Sequence, residues 1–140
     1  MDDPPDRQAI IDLTVAYCWA LDGRDWDRLD DIFTPDATAV LGPEVVGVEA
    51  IKRRVREALE PLAVSQHMVS THDVRVDADR AAARCYLLAQ HVRDPSGAPQ
   101  FVVAGRYEDD LVRTAAGWRI SRRVLVVLWT DGDPAVLQPE

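Results

Sequence analysis

"YCWALDGRDWDRLDDIF", Tyr17–Phe33, holds the end of one helix, a break and the start of another, with an aspartate where the first helix should be apolar. From Arg7 to Asp22 the apolar residues Ile10, Leu13, Tyr17 and Leu21, flanked by Ile11, Thr14, Val15 and Cys18, recur at helical spacing. Gly23 fits the C′ position that stops this helix. Asp25 fits the N-cap of a short second helix with Trp26, Leu29, Ile32 and Phe33 on its inner side and Pro35 past its end. At about 100° per residue the apolar arc of the first helix is centred between Thr14 and Leu21. Asp22 falls inside that arc beside Cys18 and Ile11, and Asp12 falls outside it. An ionised carboxylate on a buried face is costly unless paired. Asp22 therefore either turns to water at a frayed helix end or meets a partner inside the protein.

Working outward, "ATAVLG" (Ala37–Gly42) is strand-like and closes at Gly42-Pro43. Val48–Glu60 is a third helix with Ile51, Val55, Ala58 and Leu59 inward and the basic run "KRRVRE" on a solvated face. After Pro61 the pattern changes to strands over Ser65–Arg75, Ala82–Arg93, Gln100–Val112 and Gly117–Trp129, with turns at "VDAD", "DPSGAP" and "TAAG". Three helices in front of a run of long antiparallel strands is an α+β pattern, not alternating βαβ units. The expectation is a cone-shaped α+β barrel: three N-terminal helices packed on a strongly curved antiparallel or mixed sheet, with an apolar pocket at the mouth. The 140 residues fit a single domain, 1–140, with its core over about 7–129 and short tails beyond.

Composition narrows the partners. With 47% hydrophobic and 29% charged residues the chain fits a soluble globular protein. A formal charge of -8 argues against nucleic acid or an anionic membrane, both of which need a basic patch. "MDDPPD" has no apolar h-region, and "VLVVLW" (Val124–Trp129) is too short to span a bilayer, so a cytoplasmic location is expected. Cys18 and Cys85 form no C-x-x-C pair, and no histidine pair has ligand spacing, so neither a metal nor a cofactor is implied. No G-x-G-x-x-G, P-loop or G-x-S-x-G motif is present.

The titratable candidates are few. His67 and His72, five apart on one expected strand, should point to opposite faces. His91 lies near the end of the next strand, within reach of His67 if the two strands form a hairpin. The phenols Tyr17, Tyr86 and Tyr107 and the guanidinium of Arg123 are candidates to hold a carbonyl or enolate. The apolar strand "RVLVVLW" needs cover on its outward side, which points to self-association.

Four strings, "AIIDLTVAYCWALDGRDWDRLDDIFTPDA", "GVEAIKRRV", "SQHMVSTHDV" and "GRYEDDLVRTAAGWRISRR", resemble the SnoaL-like branch of the nuclear-transport-factor-2-like superfamily over Arg7 to Trp129. Within it the motifs are most similar to the scytalone dehydratase and hexachlorocyclohexane dehydrochlorinase group. That resemblance implies a catalytic aspartate at Asp22, catalytic histidines at His67 and His91, and a pocket arginine at Arg123. It also favours a homotrimer over a dimer. Leu21 departs from the tyrosine that the dehydratases carry before their aspartate.

The implied chemistry is that of a cofactor-independent lyase or isomerase. Asp22 would orient His67, whose free nitrogen would take a proton from carbon of a small hydrophobic, cyclic substrate, with His91 as an acid. Alternatives on the same fold are an epoxide-hydrolase-like enzyme recruiting Asp109 and Arg123, a polyketide-cyclase-like enzyme, or a non-catalytic ligand-binding protein. In the last case His67 should lie beyond the reach of Asp22.

Overall fold

The computed structural model describes residues 4–138. The chain runs α1 (Pro4–Asp22), a 3₁₀ turn (Trp26–Asp31), β1 (Phe33–Val40), β2 (Glu44–Val46), α2 (Val48–Leu59), then β3 (Val64–Asp77), β4 (Arg80–Val92), β5 (Gln100–Thr114) and β6 (Gly117–Gly132), and ends in a second 3₁₀ turn (Pro134–Leu137). The strands make one six-stranded mixed sheet in the order β2-β1-β6-β5-β4-β3. β3 to β6 form the expected antiparallel meander, and β1 pairs parallel with β6. The sheet curves over the helices but does not close, so β2 and β3 are its edges and the fold is an open α+β cone.

Packing explains the curvature. Along β4 the inward positions are Ala81, Ala83, Cys85, Leu87, Ala89 and His91, alternating with exposed residues. Small side chains there let α1 approach the sheet, and the long apolar residues Ile10, Tyr17 and Leu21 of α1 fill the space. α2 covers the β1 end with Val48, Ile51, Val55 and Leu59. At Gly105, where Leu128 of β6 bulges out of register, an added Cβ would sit 2.2 Å from the Val126 carbonyl oxygen. Only glycine permits that approach.

Four local expectations are corrected. Trp26–Asp31 is a 3₁₀ turn and not an α-helix, and Asp25 makes no side-chain cap. Six residues with two adjacent aspartates cannot offset the nucleation cost of an α-helix. β1 starts at Phe33, through Pro35, and not at Ala37. The helix stop is Arg24, at φ 59°, and not Gly23: the Asp25 N–H reaches the Ala20 carbonyl at 2.8 Å and the Arg24 N–H the Leu21 carbonyl at 3.2 Å, a Schellman closure. His67 and His72 face the same side. Between Ser70 and Asp73 the chain gains a residue on β4, with Thr71 at φ 58°, and this bulge flips the alternation.

A second bulge sets the interior. Asp110 pairs with Arg122 but Leu111 pairs with Ile120, so Ser121 is extra and Arg123, not Arg122, points inward. Arg123 is fully buried and forms a two-point ion pair with Asp109, Nε to Oδ1 and Nη2 to Oδ2, both 2.8 Å. Its guanidinium carbon lies 3.9 Å from the Tyr107 ring centroid and 4.4 Å from that of Tyr17. Replacing Arg123 with Met strands the Asp109 charge, and urea denaturation is expected to show a loss of about 3–5 kcal/mol. Adding Asp109→Leu should recover most of that loss. A single variant as stable as the parent contradicts this account.

Candidate active site

Asp22 is the last residue of α1, and the helix directs its carboxylate at β3. Oδ2 accepts the backbone N–H of His67 at 2.8 Å. Oδ1 accepts the His67 Nδ1–H at 2.6 Å and the Ser65 hydroxyl at 3.0 Å. Ser65 and His67 are two apart on β3, so they share a face and reach the same carboxylate. Partial burial pushes the Asp22 carboxyl up, and the His67 ring, the His67 amide and the Ser65 hydroxyl more than offset it, leaving it below the ordinary 3.8. The carboxylate is therefore ionised and can only accept, which places a His67 proton on Nδ1 and, in the neutral ring, the lone pair on Nε2. Among the described residues Nε2 has no hydrogen-bond partner, and it is not sealed from solvent.

His91 stands beside His67 with the rings edge to face, centroids 5.8 Å apart. Its Nδ1–H donates to the Phe101 carbonyl at 2.9 Å. Burial lowers its pKa, against the Phe101 carbonyl, which raises it, so His91 is a neutral imidazole with Nε2 as an acceptor. His72 lies further along the same face, with Nε2 2.7 Å from the Thr14 hydroxyl, which itself donates to the Ile11 carbonyl.

An open groove of about 870 Å³ runs along the edge strand β3 and is lined by Asp22 and His67. Its walls are mostly apolar: Val15, Cys18 and Trp19 of α1 on one side, Met68, Tyr86 and Leu88 on the other. Tyr86 is half exposed at this rim, outward because it alternates with the buried Cys85 and Leu87. Tyr17, Tyr107 and Arg123 lie deeper, in the interior cluster with Asp109. Burial lifts the Tyr17 phenol to about 12 and raises that of Tyr107 well above the ordinary range, so both are neutral. One N–H group of that cluster is unpaired: Arg123 Nη1 is buried without a partner. Cys18 lies between the two groups, one turn before Asp22. Burial pushes its thiol to about 11, with Arg123 pulling it down and Asp22 pushing it up.

The expected residues thus form three sets: Asp22 bonded to His67 with His91 against the His67 ring, the buried cluster of Tyr17, Tyr107 and Arg123, and Tyr86 at the rim. Asp22 is bonded to His67 and Ser65 and Asp109 to Arg123, so no arginine bridges Asp22 and Asp109 among the hydrogen bonds of the described residues. Sequence inspection missed Ser65 and Arg24, whose Nη1 donates to the Ser65 hydroxyl at 3.0 Å. For Ser65 the period-2 spacing to His67 was the available signal. Arg24 had none, because its contact depends on a left-handed backbone. No group of three or more histidine, cysteine or acidic side chains is placed to hold a metal among the described residues, and no described helix is long and apolar enough to cross a membrane.

The chain belongs to the SnoaL-like domain family, whose model matches residues 3–124. An uncharacterized protein of Mycobacterium tuberculosis, Rv2910c, is 39% identical over 125 residues, covering 85% of this chain and 83% of that one. A crystal structure of a putative aromatic ring hydroxylase from Novosphingobium aromaticivorans superposes with TM-score 0.88 at 28% identity, over 99% of this chain and 100% of the other. The fold alone is shared with a putative scytalone dehydratase from the same species, TM-score 0.80 at 23% identity over 89% and 85% of the two chains. It is shared likewise with a hexachlorocyclohexane dehydrochlorinase, LinA type 2, TM-score 0.80 at 20% identity over 90% and 87%.

The depressed Asp22 value has a consequence for stability. A carboxyl whose folded pKa lies below its unfolded one stabilises the fold above the ordinary 3.8, and that contribution is lost as pH falls through the folded value. Asp22→Asn should therefore be less stable than the parent at neutral pH, with the gap narrowing in acid. Denaturation curves between neutral pH and strong acid check this, and a gap constant with pH would refute it.

Proposed function

We propose that the protein is a cofactor-independent lyase or isomerase acting on a small hydrophobic, cyclic substrate, with His67 as the base and Asp22 as its orienting carboxylate. The 2.6 Å contact between Asp22 Oδ1 and His67 Nδ1, beside an apolar groove, carries the proposal. His67 Nε2 takes a proton from carbon. In an elimination the C–H electron pair becomes the new C=C bond, and the group on the neighbouring carbon departs with its own bonding pair. A halide leaves as the anion, whereas a hydroxyl leaves as water after taking a proton back from the imidazolium. In an isomerisation the pair moves into a conjugated carbonyl, and the imidazolium returns the proton at another carbon. Asp22 offsets the positive charge that His67 acquires in either course.

His91 takes a different role from the acid expected of it. Held neutral by burial and with its ring proton committed to Phe101, it accepts a hydrogen bond from a substrate hydroxyl through Nε2. The unpaired Nη1 of Arg123 donates to the oxygen or halogen that gains negative charge, while Asp109 and the rings of Tyr17 and Tyr107 keep the guanidinium in place. Tyr86 contacts the substrate at the rim. Membership of the SnoaL-like family and the fold shared with a dehydrochlorinase and a putative dehydratase, both named for eliminations, support this class of reaction.

The test is turnover of cyclic β-hydroxy ketones and chlorinated cyclohexanes in D₂O, read by mass spectrometry. Loss of water or HCl, or deuterium incorporated on carbon, is the expected result. His67→Ala should lower kcat by about 10²–10⁴ with an unchanged circular dichroism spectrum. Full activity in that variant would remove His67 from the mechanism.

Assembly belongs to the same proposal: the chain forms a homo-oligomer, with a trimer favoured, through the outer face of the sheet. Val127, Leu128 and Trp129 of β6, none of which lines the groove, are 52%, 51% and 55% exposed. Light scattering should give a multiple of the 15.6 kDa chain, and Trp129→Glu should reduce it to one chain. A monomeric parent overturns this part alone.

A further inference from the structure

We infer that Arg24 is a positioning residue for the Asp22–His67 pair, acting through the Ser65 hydroxyl; the inference rests on the proposed role of that pair as the base. Arg24 occupies the left-handed position that closes α1, at φ 59°, where glycine is the usual residue. The strain of a side chain there needs compensation. It comes from where the guanidinium goes. Nη1 donates to the Leu21 carbonyl and to Ser65 Oγ, both at 3.0 Å, and Nη2 donates to the Leu62 carbonyl at 3.3 Å. The αL backbone turns the side chain back across the end of its own helix toward β3, a direction that a continuing right-handed turn would not give.

The direction of the hydrogen bonds is forced. A guanidinium only donates, so Ser65 Oγ accepts from Arg24 and has one proton left to give. That proton goes to Asp22 Oδ1, which also accepts the His67 Nδ1–H. The series runs from a cation through a hydroxyl to an anion and then to the imidazole, with every bond oriented by the one before it. Without Arg24 the Ser65 hydroxyl is free to rotate, and Asp22 loses a fixed donor. Asp22 then has less to hold it ionised and less to hold its oxygen in line with Nδ1. The titratable and charged groups facing Asp22 are Cys18 from α1, Arg24 from the following turn, His67 from β3 and His91 from β4.

The test uses the full chain labelled with ¹³C and ¹⁵N and needs no substrate. NMR follows the Asp22 carboxyl through acid and reports the His67 ring tautomer. Arg24→Gly suits a left-handed position, so it removes the guanidinium without endangering the fold. It should move the Asp22 midpoint up toward the ordinary carboxylate range and weaken the preference for the Nδ1–H tautomer. Ser65→Ala should act in the same direction. In the Ser65→Ala background, Arg24→Gly should add less than half of its own shift, because the connection is already cut. Arg24→Lys, which keeps a charged donor, should lie between the parent and Arg24→Gly. An Arg24→Gly protein with parental Asp22 midpoint and parental tautomer overturns the inference, as does full additivity of the two variants. A parent that shows these shifts and turns over no substrate overturns the lyase or isomerase function and leaves the positioning role standing.

Discussion

The end of α1 is tied to β3 by a single carboxylate that takes two donors from one residue. Asp22 accepts both the main-chain N–H and the ring N–H of His67, so the same contact holds helix to sheet and orients the imidazole. Elsewhere α1 meets the sheet through non-directional apolar packing, pinned further by Thr14 on His72 and by Asp6 on Arg113 and Trp118. The carboxylate cannot slide, because moving it away from these donors would leave a charge without partners in a partly buried site. The sharp stop after Asp22, the left-handed Arg24 and the reach of Arg24 to Ser65 all follow from keeping that charge where its donors are.

Two bulges determine what faces the interior. The extra residue on β3 brings His67 and His72 to one side of the strand, and the extra residue on β6 turns Arg123 inward in place of Arg122. Each adds a single residue to one strand, yet each changes the face of every side chain beyond it. The interior consequence is a fully buried arginine whose cost is met by Asp109 and two aromatic faces, with one N–H left over. A buried donor without a partner is unusual, and Arg123 and Asp22 act in opposite directions on the Cys18 thiol.

The groove suits an apolar ligand, and its position on the edge strand leaves it open on one side. Its polar lining comes from Asp22, Ser65, Gln66, His67 and Ser70, and the buried His91 and Arg123 lie outside that lining. In the proposed function such a set orients the substrate. It also accounts for the conflict in the α1 sequence, where a residue poor for packing sits at the one place where packing meets chemistry.

Much of this was legible in the residues alone. The helical spacing of Ile10, Leu13, Tyr17 and Leu21, the alternation through "AAARCYLLAQH" and the Gly- and Pro-bearing turns determine the elements and the α+β class, because periodicity acts locally and burial selects one face of each element. Asp22 stood out for the same reason, as a charge inside an apolar arc. Spacing and periodicity could not say that Asp22 meets His67 or that Arg123 rather than Arg122 points inward, both of which only the family resemblance implied, nor that Arg24 rather than Gly23 ends the helix. Those outcomes depend on an αL residue and on single-residue bulges, which have weak sequence signals and are stabilised by partners 14 to 45 positions away along the chain. Which side chains converge was therefore decided only when the strands took their register against the helix, since a shift of one residue exchanges the inner and outer faces.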